Sequence, residues 1–366
     1  MKRLLLLLIL IMATIGLTGC GGEENTGGAE GQAKAEKFRW RMVTSWPPNF
    51  PVFQEGVERF AEHVKVMSNG RLTINTYAGG ELIPPLQVFD AVSQGTVEMG
   101  HSGAYYWAGK IPAAQFFTSV PFGLNAQGMN AWLYSGGGIE LWRETYAPHN
   151  LVPFPMGNSG VQMGGWFNKK IESVDDLNGL KMRIPGLGGK VFAEAGGNAV
   201  LMAGGELYTA LERGAIDATE WVGPYHDKRL GLQKAAQYYY YPGWHEPGSS
   251  LELTVNKAAW DKLPEELQRI VEVAAQATDL WMLTQFEALN ADALSEIQGM
   301  KGVEMLPFPL EVTRKLKTLT EKSLNEQAAS DPQFNKVYQA YKAFQAKHAA
   351  WNEVSERAYY DALTGE

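Results

Sequence analysis

The feature that most constrains this chain is an alternation of strand-like and helix-like hydrophobic patterns beginning at Phe38. Residues 38–43 (FRWRMV) suit a strand, and residues 53–66 place Val57, Phe60, Ala61 and Val64 at helical spacing. Leu72–Tyr77 (LTINTY) alternates as a strand does and stops at Gly79-Gly80. A helix over 84–94 then follows, with its prolines at the start where a missing N–H is tolerated. Gly95 ends it before a short strand over 97–99. These βα units predict an α/β protein. One internal echo stands out: AVSQGTVE at 91–98 matches ALERGAID at 210–217 in the order small, apolar, two polar, Gly, any, β-branched, acid. Both copies read as helix, glycine stop, short strand. A helix–strand unit repeated at an offset of 119 residues (210 − 91) suggests two lobes of similar design.

A length of 366 residues allows two compact units, each with a substantial core. Forty acidic against 32 basic side chains give a net charge of −8, which disfavours nucleic acid as a partner because phosphate attraction needs surplus Lys and Arg. Ordinary apolar content with 11 Trp argues against disorder over most of the length. Two long helical stretches close the chain, over 263–298 and about 332–363. In the second, Val337, Tyr341, Phe344, His348, Trp351 and Ala358 form a bulky seam, with Ser355 filling the gap. Such a seam packs on its own domain or covers a second subunit.

A single cysteine rules out an intramolecular disulfide and any multi-thiolate metal site. It stands at position 20, after two cations, an apolar run over 4–17 and a Leu17-Thr18-Gly19 approach. Residues 1–20 therefore read as an export leader. Leu17-Thr18-Gly19-Cys20 resembles the bacterial lipobox, in which Cys20 is acylated and becomes the new N-terminus. Residues 21–36 (GGEENTGGAEGQAKAE) read as a flexible tether.

Four stretches hold the candidate chemistry. GNSGVQMGGWF (157–167) combines glycines, which allow close backbone approach, with the neutral hydrogen-bonding groups of Asn158 and Gln162. DDLNGLKMRIPG (175–186) sets Arg183 in an apolar strand-like run, where it either points outward or is buried against an anion such as a carboxylate. IDATEWVGP (216–224) places Glu220 before Trp221, an expensive position for an acid unless it is paired or metal-bound. YYYYPGWHEPG (238–248) surrounds Glu246 with aromatic rings and prolines, like a pocket-lining loop. Two carboxylates with amide and backbone oxygens suit a hard cation better than zinc. The nucleophile-elbow, phosphate-loop, dinucleotide and zinc-protease motifs are all missing, and of the six His only His245, beside Glu246, has a suggestive neighbourhood.

Taken in order, these motifs resemble the extracytoplasmic solute receptors of tripartite ATP-independent periplasmic (TRAP) transporters, in the branch that binds 2-oxo and 2-hydroxy monocarboxylates with a metal ion. The resemblance covers about residues 38–366. It implies a two-lobed periplasmic-binding-protein-like α/β fold with a hinged cleft, plus long C-terminal helices. The expected divisions are 1–20 leader, 21–36 tether, 37–160 mainly lobe I, 161–250 mainly lobe II, 251–306 a strand crossing back and a long helix, and 307–366 C-terminal helices. It further implies that Arg183 clamps the substrate carboxylate and that Gln162 touches both metal and ligand. Glu220 supplies a side-chain carboxylate to the metal, Trp221 a main-chain carbonyl, and Glu246 another metal ligand. Asn158, Tyr105 and Tyr106 match pocket lining. Glu246 stands where a neutral glutamine would also serve, and the added charge favours Ca²⁺ over Na⁺. The implied partners are a small 2-oxo or 2-hydroxy carboxylate such as pyruvate or lactate, a TRAP membrane permease, and a second copy through the C-terminal helices. The implied location is the extracytoplasmic face of a bacterial membrane, lipid-anchored through Cys20. No catalysis is implied. Two other readings remain open: a lipid-anchored metal-dependent hydrolase with Glu246 or His245 as base, and an interaction lipoprotein without a small ligand.

Overall fold

The computed structural model describes residues 36–365. The leader, Cys20 and all of the tether except Glu36 lie outside them. Among the described residues no helix is long and apolar enough to cross a membrane. Eleven strands among the described residues form two sheets: β1 Phe38–Thr44, β2 Leu72–Tyr77, β3 Met99–Ser102, β4 Leu151–Asn158, β5 Gly165–Phe167, β6 Lys181–Arg183, β7 Asn198–Val200, β8 Ala218–Thr219, β9 Tyr238–Tyr241, β10 Ser250–Asn256 and β11 Glu304–Pro307.

The first sheet has the order β2-β1-β3-β10-β4 and the second β11-β9-β5-β8-β6-β7. In each, three consecutive strands of βα units lie parallel (β2-β1-β3 and β8-β6-β7), as the alternating pattern requires. The chain passes between the sheets three times. Residues 159–164 and 242–249 cross directly, and the third passage includes helix Glu265–Gln298. The two direct crossings are tied to each other by backbone bonds: Ser159 N to Ser249 O (3.0 Å), Gln162 N to Glu246 O (3.1 Å) and Gly243 N to Gln162 O (2.9 Å).

The sequence echo is a structural repeat. Helices Val88–Ser93 and Leu207–Glu212 end at Gly95 and Gly214, both left-handed with φ of 71° and 68°. In each copy the next N–H turns back onto the same carbonyl, Thr96 N to Ala91 O and Ala215 N to Ala210 O, both 2.9 Å. The acids then bond the neighbouring parallel strand alike: Glu98 accepts from Arg41 N at 2.7 Å and Asp217 from Lys181 N at 3.0 Å.

Some elements differ from the pattern. The helix expected over 84–94 is a 3₁₀ turn, Pro85–Gln87, followed by Val88–Ser93, because adjacent prolines leave its entry without N–H groups. The strand expected over 97–99 starts only at Met99, since Thr96 and Val97 N–H still serve the helix end at Ala91. The last helix is broken into Pro332–Val354 and Glu356–Thr364. At the break, Ser355 leaves the helical region and its hydroxyl bonds Trp351 O at 2.8 Å.

That broken helix packs its first half on the first lobe. Phe334 lies 4.8 Å from Phe116 between ring centres, Tyr341 lies 5.0 Å from Trp132, and the Tyr341 hydroxyl accepts from Leu124 N at 2.7 Å. The seam beyond is uncovered, with Trp351 62% and Leu363 65% exposed.

Candidate metal centre

Parallel strands β6 and β8 are neighbours, with Arg183 opposite Thr219, so Arg183 and the next residue, Glu220, meet at their C-terminal ends. Arg183 is only 1% exposed, which settles its orientation as inward. Its Nη1 pairs directly with Glu220 Oε1, its Nε donates to Met202 O at 3.1 Å, and its Nη2 donates to the Tyr106 hydroxyl at 3.2 Å. The guanidinium also sits 5.3 Å from the centre of the Trp221 ring. Glu220 spends one oxygen on Arg183. Its other oxygen, Oε2, has no hydrogen-bond partner among the described residues and lies 3.5 Å from His245 Nε2.

The other half of the site rides on the two crossing segments. Gln162 Nε2 donates to Glu246 Oε2 (2.8 Å) and lies near Ser159 Oγ (3.1 Å) and Ser249 Oγ (3.3 Å). Glu246 Oε2 also accepts from the Ser249 hydroxyl at 2.5 Å. Gln162 Oε1 is buried with no hydrogen-bond partner among the described residues. Burial, reinforced by the charge of Glu220, raises the Glu246 carboxyl to about 7. The Tyr105 phenol is pushed far above its ordinary value, first by burial and then by the Glu246 carboxylate.

Ligand atoms of Glu220, His245 and Glu246 all lie within 4.8 Å of one another, and all three side chains are buried. Buried polar atoms are ordinarily hydrogen-bonded, so unpartnered Glu220 Oε2 and Gln162 Oε1 beside a second carboxylate are unmet valence. Oxygen donors of that kind fit a hard cation.

The structure thus brings together Arg183, Gln162, Glu220 and Glu246, with Tyr106 on the guanidinium and Tyr105 edge-on to Tyr106 at 4.7 Å. Trp221 places its ring over Arg183 and against Trp46, Phe50 and Phe53. Asn158 is fully buried, but its polar contacts are elsewhere: Oδ1 accepts from Gly160 N at 3.0 Å and Nδ2 donates to Asn130 Oδ1 at 3.3 Å. Through the first of these bonds it shapes the start of the 159–164 crossing. The motif reading named His245 as a possible base but missed it as a member of the carboxylate cluster, although its position next to Glu246 was a usable signal.

Residues 42–331 match the family described as bacterial extracellular solute-binding protein, family 7 (DctP). The chain is 50% identical over 347 residues to a monocarboxylate 2-oxoacid-binding periplasmic protein of Nostoc sp., covering 95% of this chain and 94% of that protein. It is similar to a TRAP transporter solute-binding protein of Bordetella bronchiseptica, a mixed-occupancy dimer with copurified calcium and picolinate. That match has a TM-score of 0.88 and 40% identity, and covers 90% of this chain and 98% of the other. It is also similar to a TRAP periplasmic solute-binding protein of Pseudoalteromonas atlantica with bound sodium and pyruvate, with a TM-score of 0.87 and 44% identity, covering 89% and 99%. With two βα sheets joined by crossing segments, and a family match over most of its length, the chain belongs to the DctP family of bacterial extracellular solute-binding proteins.

Proposed function

We propose that this protein is the receptor of a TRAP transporter, capturing a small 2-oxo or 2-hydroxy monocarboxylate such as pyruvate or lactate and delivering it to a membrane permease. The observation that carries this is the meeting of Glu220 Oε2, Gln162 Oε1 and Glu246 beside the buried Arg183 guanidinium. Glu220, Glu246, Gln162 and the main-chain carbonyl of Trp221 would hold the cation. Such a cation, when bound, supplies a point that a carboxylate oxygen and the adjacent 2-oxo or 2-hydroxy oxygen reach together, which acetate and propionate cannot match.

Arg183 attracts and orients the carboxylate, and Tyr106 and Met202 fix the guanidinium for it. Charge balance favours Ca²⁺ over Na⁺. Glu220 and Glu246 against Arg183 leave one net negative charge, and a monocarboxylate makes it two. A divalent ion neutralises the filled site, whereas a monovalent ion leaves a buried charge unpaired. Residues from both lobes meet at the ligand, so its binding favours closure.

No bond is broken in this scheme, and residues 37–160 and 161–250 act mainly as the two jaws. Cys20 carries the lipid anchor on the extracytoplasmic side. The uncovered aromatic seam around Trp351, Tyr359 and Tyr360 meets its equivalent in a second copy.

The test is titration calorimetry with pyruvate and lactate on protein as purified, after chelation, and after Ca²⁺ is restored. Binding is expected to be lost on chelation and to return with Ca²⁺ more fully than with Na⁺. Unchanged affinity for both acids after chelation and in Glu220→Gln would sink the assignment.

A further inference from the structure

His245 is the one member of the buried cluster to which the function above gives no work. It lies on the 242–249 crossing, is 1% exposed, and has neither ring nitrogen hydrogen-bonded among the described residues. Its ring is held edge-on to Trp244 at 5.5 Å, and its Cβ presses so close to Gly188 that a side chain there would come within 2.9 Å of it. The ring is therefore fixed where it is. An imidazole buried this deeply without a partner is costly unless something accepts from or binds to its nitrogens. What faces it is Glu220 Oε2, 3.5 Å from Nε2 and itself unpartnered, with a Glu246 oxygen in the same 4.8 Å group.

We infer that His245 is a nitrogen ligand of the same ion, added to the oxygen donors already assigned. This rests on the reading that Glu220 and Glu246 share a cation. Neutral imidazole brings no charge, so the balance among Glu220, Glu246 and Arg183 is unaltered. It does change which ions the site prefers. Oxygen-only sites suit Ca²⁺ and Na⁺, while an imidazole raises affinity for first-row divalent ions in the order Mn²⁺, Fe²⁺, Co²⁺, Ni²⁺. The site is thereby open to Co²⁺ and Mn²⁺ as well as Ca²⁺.

The experiment uses the full protein freed of metal by a chelator. Affinities for Ca²⁺ and Co²⁺ are measured by competition with a chromophoric chelator, in wild type and His245→Gln. Mn²⁺-loaded wild type is also examined by pulsed electron paramagnetic resonance for imidazole ¹⁴N coupling. The expected result is ¹⁴N coupling in wild type and a Co²⁺-over-Ca²⁺ preference that falls at least tenfold in His245→Gln. An unchanged preference overturns the inference, and so does bound Mn²⁺ without nitrogen coupling, a readout that needs no variant. Tight Ca²⁺ binding with no nitrogen signal removes His245 alone. If wild type takes up none of these ions, the shared-cation reading fails and this inference fails with it.

Discussion

Residues 91–102 and 210–221 follow the same helix, glycine turn and parallel strand, and their strands end on different chemistry. His101 in the first lobe and Glu220 in the second occupy the same place in the repeat. His101 is fully satisfied: its Nδ1 accepts from Trp46 Nε1 at 2.6 Å and its Nε2 donates to Met156 O at 2.9 Å. Burial lowers its pKa to about 4, so it is neutral and structural. Glu220 has one oxygen on Arg183 and one with no hydrogen-bond partner among the described residues. Two other buried carboxylates follow the first pattern. Glu252 accepts from Trp107 Nε1 and the Tyr146 hydroxyl, and Asp227 from Trp166 Nε1 and the Tyr239 hydroxyl. The repeated scaffold is thus shared, and the polar group at its strand end differs, satisfied in the first lobe and half-satisfied in the second.

The sharpest way to break this comparison is to truncate equivalent residues. Val43 in the first lobe stands where Arg183 stands in the second, each beside its counterpart strand. Arg183→Ala is expected to weaken pyruvate binding by about 2–5 kcal/mol, the range for removing one partner of a buried charge pair. Val43→Ala costs about 2 kcal/mol of folding stability through lost packing and leaves affinity alone. Calorimetry and urea denaturation on both variants check this, and equal losses of affinity would erase the distinction.

The next test concerns a satisfied carboxylate. Burial raises Glu252 from 4.5 to about 7, so the folded protein holds this proton more tightly than the unfolded chain. Its contribution to stability therefore falls as pH rises through that window. Glu252→Gln should flatten the loss of unfolding free energy between pH 5 and 8 by about 2–3 kcal/mol, with or without Ca²⁺. Urea midpoints across that range measure it, and a slope that depends on Ca²⁺ would place Glu252 in the site.

The smallest effect sharpens the repeat itself. Gly95→Ala and Gly214→Ala should each destabilise by about 1 kcal/mol, because both glycines are left-handed and no backbone atom crowds either. Thermal melts should shift alike. A large effect at one position only would show that the two turns carry unequal loads.

The α/β class and the repeat were legible in the sequence because periodicity and glycine stops act over a few residues. Arg183 was not: its run of MRI reads by default as facing outward, and what turns it inward comes from Glu220 and Tyr106, 37 and 77 residues away. Resemblance to receptor motifs supplied that placement where local pattern left it open. Asn158 shared a motif with Gln162, yet it ends on Asn130, a contact no spacing announces. The break at Ser355 was hidden because a serine fits a helical stripe until its hydroxyl takes a carbonyl.

Gln162 and Glu246 sit on the two segments that carry the chain across, while Glu220 directly follows strand β8 of the second sheet. The angle between the jaws and the gap between these oxygens are accordingly one mechanical variable. In the proposed function, a bend at 159–164 and 242–249 would stretch or relax this set of oxygen donors directly, with no lever between them. The joint is also the gauge.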